Sequence, residues 1–505
     1  MDITGTKKPI LIVLALSVVI CTSTGCKSGV ADGGGQTTES TTGEATETHQ
    51  GTTEKAVADY LPDADYGGYE FRGVTIPHGM LSLISSFDIE AETGDVVDDA
   101  IYKRNRIVEA RYNVIFKELY AKDLFDLTTI FKRSSMADSD DFDLGMMIGR
   151  EAWKMALEGF VVPVHRLPFL DVSRAWYSHE INDSITIGGK MFFAYSDECL
   201  NMFEQTLCVL FNKNLASELA LENMYNLVNT NKWVWDKFYE LAKTAAADTN
   251  GDGVMTDEDR YGIVTQTDMI YPCSWVSSGI NIIGKDENGN LAFNGGSQKM
   301  SDLIDKVHGN LFSGTKIMFD SLADKVTTIK GRGGDAGRDI STQQFANDNA
   351  LFYVIHIGMI PALRSMDTDF GILPCPKYDE TQEKFYSRII DGWPNCVSVS
   401  NRDLERTSVI MEALAVESRN IIKPAYFEVA LKYKHARDDE SAEMLEIIHR
   451  GRTLDLGDAF NNEIQNIFNP LFNSKYGKTA SEIEKNSKKI NDYIEKINEA
   501  AAKLD

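Results

Sequence analysis

The sequence predicts an α/β fold divided into more than one lobe. Three observations carry this expectation. Apolar runs of strand length alternate with amphipathic runs of helical period between residues 69 and 148. The same alternation restarts near residue 206. After a polar leader roughly 440 residues remain, more than a single core organises.

The elements follow in order. "YEFRGVTI" (69–76) reads as a first strand, since β-branched and aromatic residues suit a half-buried pleated surface. In "DDAIYKRNRIVEARY", Ile101, Asn105, Val108 and Tyr112 are spaced 4-3-4, which puts them on one helical face. "NVIFKEL" reads as a strand, "DLFDLTTIFKRS" as a helix and "DFDLGMMI" as a strand again. That β-α-β-α-β order requires a parallel sheet with helices on its faces. Further on, "TLCVLFNKN" (206–214) is a buried strand. "WVWDKFYELAKTAA" is a helix with Trp235, Phe238, Leu241 and Ala242 as its apolar stripe. "NALFYVIHIG" and "FGILPCPK" read as two more buried strands. A closing helix over 481–503 begins with a capping box at Ser481 and Glu484 and places Ile483, Ile490, Ile494 and Ile497 on one face. No repeat of 20 to 50 residues is present, so solenoids and propellers are not expected.

The N-terminus predicts export. Lys7 and Lys8 precede the apolar run "ILIVLALSVVI", too short to span a bilayer comfortably and laid out as a signal peptide over residues 1–25. The small residues Thr24 and Gly25 before Cys26 resemble a bacterial lipobox, in which Cys26 carries the lipid; Ser23 departs from the leucine usual there. Residues 26–64 are rich in Gly, Thr, Ser and Glu and poor in apolar residues, so they are expected to be a disordered tether. Such a tether holds a folded body roughly 30 Å from its anchor. The chain is therefore placed on the extracellular face of a bacterial cell membrane.

The net charge of −25, with no basic stripe, argues against nucleic acid or an anionic lipid surface as partner. Five cysteines remain beyond Cys21 and Cys26, widely scattered and odd in number, so disulfides do not frame this fold.

One loop has the spacing of a calcium site. In "DTNGDGVMTDEDRYG", Asp248, Asn250 and Asp252 stand at alternate positions and Gly253 supplies the tight turn. The Val254 carbonyl and Thr256 follow, and Asp259 closes the loop where a glutamate is usual. Calcium takes six to eight oxygens, and this alternation delivers them. No second such loop is present, and sensors pair them. The expectation is one structural Ca2+.

Several segments, in this order, resemble the family 1 extracellular solute-binding proteins, relatives of maltose-binding protein that serve ABC sugar importers. They are the lipobox and tether, "ETGDVVDDAIYKRNRIVEARYNV", "VLFNKNLASE…NKWVWDKFYELAK", the aspartate-rich loop ending in "DEDRYG", and "MDTDFGILPCPKYDE". The resemblance runs from about residue 66 to about residue 430. It implies the two-lobed, periplasmic-binding-protein-like (type II) fold, with a hinge and an inter-lobe cleft that closes on ligand. It also implies that the calcium only ties down a surface connection. By this likeness the first lobe takes 65–200 plus 352–390 and the second takes 201–351 plus 391–505. A monomer delivering a carbohydrate, most readily an oligosaccharide, to an ABC permease follows.

Sugar recognition needs flat aromatic faces for the CH-rich sides of the rings and polar groups for the hydroxyls. Ligand crevices of open α/β sheets lie beyond the carboxyl ends of strands. That rule selects Arg150, Glu151 and Trp153 after "DLGMMI", and Tyr195 and Asp197 after "MFFA". Trp275 matches the region where the family places a stacking aromatic, and Asp391 and Trp393 stand at the expected last crossover. The plain alternative for each tryptophan is lobe packing. "GRGGDAGRD" (331–339) lacks the ending of a phosphate loop and reads as a mobile surface loop. The histidines have no metal-ligand spacing, and no G-x-S-x-G elbow is present. A glycoside hydrolase or lyase, or a sugar-sensing subunit of a membrane receptor, is the competing reading; an enzyme needs two facing carboxylates, which this acidic chain supplies by chance somewhere.

Overall fold

In the computed structural model, residues 56–77, 87–314, 316–324, 336–363, 366–427, 438–473 and 478–503 are described. The signal peptide, Cys26, the tether up to residue 55 and the loop 331–335 lie outside them. The described residues form one compact unit.

Two sheets organise it. The strands in chain order are β1 (Tyr69–Thr75), β2 (Val114–Tyr120), β3 (Leu144–Met146), β4 (Leu207–Asn212), β5 (Tyr261–Thr265), β6 (Ile283–Lys285) and β7 (Leu291–Phe293). They continue with β8 (Met318–Asp320), β9 (Ala350–His356), β10 (Phe370–Leu373), β11 (Ser387–Arg388), β12 (Asn395–Cys396) and β13 (Arg452–Thr453). The first sheet has the order β2-β1-β3-β12 and the second β8-β5-β9-β4-β10. Both start with three parallel strands in which the first in sequence lies at the centre of the three. Each then takes an antiparallel strand, β12 on β3 and β4 on β9. That strand is the first one the chain lays down on arriving from the other half. The halves are thus interlocked by exchange, and the α/β alternation expected from sequence is present in both.

The crossings lie side by side. Thr206 and Ile389 form an antiparallel bridge, and Ile390 N–H donates to the Gln205 carbonyl at 3.0 Å. A third link is the helix Leu404–Glu417, which runs on into a π-helical turn, Ser418–Ile422. Its Val409, Ile410 and Leu414 pack with Phe71 and Tyr112 of the first half. Ile422 and Tyr426 pack with Phe203 and Ile357 at the second. Single π turns inside helices concentrate at functional sites.

The strand pairings correct the expected division. Residues 352–390 do not return to the first lobe: β9 and β10 lie inside the second sheet, and the return comes only after Ile390. Conversely β12, assigned to the second lobe, completes the first sheet. A strand such as "ALFYVIH", apolar on both faces, fits the centre of either sheet equally well.

Two smaller corrections concern the ends. The tether was expected to reach residue 64, yet Ala58 and Leu61 are buried in the first half's core, and the Tyr60 hydroxyl donates to Glu412. "AVADYLP" has enough apolar surface to dock. The last helix starts at Thr479, so Ser481 lies inside it and its hydroxyl donates to the Lys478 carbonyl; no capping box forms. The isoleucine stripe Ile483, Ile490, Ile494 and Ile497 is buried as expected. All five remaining cysteines, Cys199, Cys208, Cys273, Cys375 and Cys396, are free and buried. Among the described residues, no helix is long and apolar enough to cross a membrane.

Candidate functional site

The helix Gly149–Leu157 begins just beyond the carboxyl end of β3, where its first turn meets the second crossing. Gly149 N–H donates to the Gly392 carbonyl at 2.8 Å. A Cβ on Gly149 would stand 2.0 Å from the Asp391 carbonyl oxygen, so only glycine permits this approach. Asp391 and Gly392 both have left-handed φ, 43° and 60°, a strain held in place by that contact. Arg150 Nη1 donates to Asp391 Oδ2 at 2.6 Å, and the Tyr195 hydroxyl donates to the Asp391 carbonyl at 3.4 Å. Burial pushes the Asp391 carboxyl up to about 6, against the pull of Arg150. Three residues selected from sequence thus converge, as a knot at the crossing.

An open groove lies beside it. Asp197, 5% exposed, is held by two cations of the third link: Arg419 Nη1 at 3.0 Å and Lys423 Nζ at 2.9 Å. It lines a cavity of about 200 Å³ between Ser178–Ile181 of the first half and His449–Arg452 of the second. A second cavity of about 300 Å³ shares Glu180 with it and continues between Asp183 and Ser184 on one side and Asn281, Ile283 and Leu454 on the other. Together they reach the size of small-solute pockets, about 300–1,000 Å³. The first-half wall is rigid: Asn182 Nδ2 donates to the Tyr195 carbonyl while its Oδ1 accepts from Tyr195 N–H. Behind it the buried Glu412 accepts from Trp176 Nε1 at 2.9 Å and from the Tyr177 hydroxyl at 2.5 Å.

A larger cavity, about 500 Å³, is lined by Tyr271, Phe312, Lys316 and Asp320. All its lining residues belong to the second half, so a molecule there makes no contact that distinguishes open from closed halves. The groove beside Asp197 touches both.

No protein-family model matches the sequence, and no curated protein matches it. Solved structures do match. The extracellular solute-binding protein from Staphylococcus aureus in complex with maltose has a TM-score of 0.55 at 9% identity, covering 84% of this chain and 98% of that one. The chain has the solute-binding-protein fold. UgpB from Mycobacterium tuberculosis in complex with glycerophosphocholine gives 0.53 at 15% identity, covering 85% and 99%. The ABC substrate-binding protein Lmo0181 from Listeria monocytogenes, in complex with cycloalternan, gives 0.52 at 13% identity, covering 83% and 99%.

Within this solute-binding fold the aromatic candidates are placed differently from expectation. Trp153, Trp275 and Trp393 are each at most 1% exposed and line none of these cavities. Trp153 packs edge-on against Phe193 and Phe460 at 5.0 and 5.5 Å. Trp275 donates from Nε1 to Asp455 Oδ2 at 3.0 Å, and burial pushes the Asp455 carboxyl up to about 7. The indole nitrogens of Trp153 and Trp393 are enclosed without a partner among the described residues. Glu151 is buried, with Lys154 at 3.8 Å. Of the eight candidates only Asp197 faces the groove. Lys423, His449 and Arg452, which share it, were missed; the visible signal was "HRGRT", a basic cluster in an acidic chain.

The loop from Asp248 to Asp259 turns tightly at its glycines. Gly251 and Gly253 have φ of 73° and 80°, and Gly253 N–H donates to Asp248 Oδ2 at 2.7 Å. Its side chains are turned onto its own amides. Asp252 Oδ1 accepts from Val254 N–H, and Asp259 accepts from the amides of Thr249 and Thr256. Asn250 Oδ1 accepts from Asp252 N–H. Among the described residues, no three Asp, Glu, His or Cys side chains are gathered as a metal centre. The glycine turn expected from sequence is present, and the donors as placed do not converge on one point.

Proposed function

We propose that the protein is an extracellular solute-binding protein, anchored by lipid at Cys26, that captures a carbohydrate as a monomer and delivers it unaltered to an ABC permease. The observation that carries this reading is the groove walled by both halves, next to paired crossing strands that permit hinge motion. Solute contacts made only when the halves approach shift the population toward closure by their differential affinity. The sugars in the similar structures, cycloalternan and maltose, support an oligosaccharide as the cargo.

A thermal-shift screen of linear and cyclic oligosaccharides tests it. A ligand at 100 times its Kd stabilises by about 2.7 kcal/mol, a shift of several degrees. No shift from any sugar contradicts the reading.

Calcium belongs to the proposal as a staple outside the groove. Binding requires the carboxylates of Asp248 and Asp252 to turn from their amides toward the ion. Excess Ca2+ is expected to raise Tm and chelator to lower it, with sugar affinity unchanged within about twofold. A calcium-independent Tm removes the ion from the account, and loss of sugar binding in a chelated but folded protein contradicts its role as a staple.

A further inference from the structure

The basic end of the groove is where this acidic chain, with a net charge of −25, leaves cations unbalanced. Lys423, Arg450 and Arg452 line the cavity against the carboxylates of Asp197 and Glu180. Asp197 is already shared between Lys423 and Arg419. Arg452 has no carboxylate within ion-pair distance among the described residues. Its Nε donates to the His449 carbonyl at 3.2 Å, and its guanidinium lies 3.8 Å over the ring of Phe203. Its two Nη groups, the fork that pairs with planar anions, make no hydrogen bond among the described residues.

His449 adds a second unmet polar group on the same wall. Its Nδ1 is enclosed without a partner among the described residues, and its ring packs on Phe427 at 4.3 Å. Burial first, then the surrounding Arg452, Lys423, Arg450 and Arg419, push the imidazole down to about 2. It is therefore neutral, and Asp197 and Glu180 are the carboxylates that line the cavity with these cations. Burial likewise draws the Arg452 guanidinium down to about 9, in spite of Asp197.

Arg452 is half-buried at the groove, the nearest charge acting on it, Asp197, is already shared by two other cations, and a bidentate oxyanion is the partner its planar fork fits. We propose that this end of the groove binds an anionic oxygen group, a carboxylate, phosphate or sulfate, carried by the captured solute, with Arg452 as its principal partner and Lys423 and Ser178 beside it. The adjoining cavity of about 300 Å³ receives the uncharged remainder. The cargo class is then an acidic sugar, a deepening that rests on the carbohydrate reading above.

The experiment is calorimetric titration of the full chain with matched pairs, digalacturonate beside galactobiose and glucose 6-phosphate beside glucose, and with inorganic phosphate and sulfate alone. Arg452→Gln removes the fork and the charge, and Arg452→Lys keeps the charge without the fork. Arg402→Gln, an exposed arginine paired with Asp138 away from the groove, is the control. Thermal melts of each variant verify folding. The proposal expects at least one acidic member to bind about tenfold tighter than its neutral partner. It expects that preference to be lost in Arg452→Gln, reduced in Arg452→Lys and kept in Arg402→Gln. Equal affinity within each pair, or a preference indifferent to Arg452→Gln, overturns the anionic class while leaving a neutral sugar binder. Binding of inorganic phosphate or sulfate with no preference among sugars overturns the assignment to the solute. If no sugar of either kind binds, the carbohydrate reading itself fails. The anion site then stands or falls on whether inorganic anions bind in an Arg452-dependent way.

Discussion

Replacing Asp458 by alanine is expected to remove about 3–5 kcal/mol of stability. Asp458 and Arg388 are a buried bidentate pair, Nε to Oδ2 at 2.5 Å and Nη2 to Oδ1 at 2.9 Å, with side chains 4% and 3% exposed. Arg388 stands on β11 at the entry to the second crossing and also donates to the carbonyls of Asp268 and Met269. Asp458 lies in the short helix Leu456–Ala459 and accepts from Gln465 Nε2 at 2.7 Å. The pair ties the C-terminal segments to the strand on which the hinge turns. Truncation leaves a buried guanidinium without its bidentate partner. A matched apolar pair, Arg388→Met with Asp458→Leu, is expected to recover much of the loss, because both desolvation penalties vanish together. Urea unfolding followed by circular dichroism measures both. A loss below about 1 kcal/mol for Asp458→Ala contradicts the clamp.

Trp275→Ala is expected to cost about 3–5 kcal/mol, the scale for emptying a large aromatic site. The indole is wholly buried between Phe468 and Phe472, at 6.3 and 5.9 Å. It is also one of the donors to Asp455, whose Oδ2 accepts besides from Ile282 N–H at 3.2 Å. Trp275→Phe retains most of the packing and forfeits the hydrogen bond, so about 1–3 kcal/mol is expected. In that folded variant sugar affinity should stay within about twofold of wild type. The sequence-level expectation was the reverse, weaker binding with no loss of fold. A stable Trp275→Phe protein with strongly weakened sugar binding contradicts the packing role and restores the stacking one.

These contrasts show what a sequence of this kind discloses. The periodicity of Ile101, Asn105, Val108 and Tyr112 specifies a buried helix face, and the structure buries all four. The apolar runs at 207–212 and 350–356 specify buried strands. Which sheet receives a run is set by pairing at long range. β9 is as apolar as any central strand, and its partner β4 lies more than a hundred residues away. The burial of Trp153, Trp275 and Trp393 was not legible for a related reason: a tryptophan that stacks on sugar and one that fills a core have the same letter and the same flanks. Arg150 and Tyr195 were found by the strand-end rule and Asp391 from the expected last crossover, and the three converge, because turns beyond strand ends meet where crossings meet. Arg452 and His449 escaped because their segment lies far along the chain and reaches the groove only through the pairing of β13 with β11.

The hinge is the claim on which the others depend. Small-angle X-ray scattering of the full chain, with and without the sugar that gives the largest thermal shift, measures it directly when the recovered sugar is also weighed by mass spectrometry. The account predicts a smaller radius of gyration on saturation and a sugar of unchanged mass. Tight binding with unaltered scattering, or a sugar returned in fragments, would contradict it.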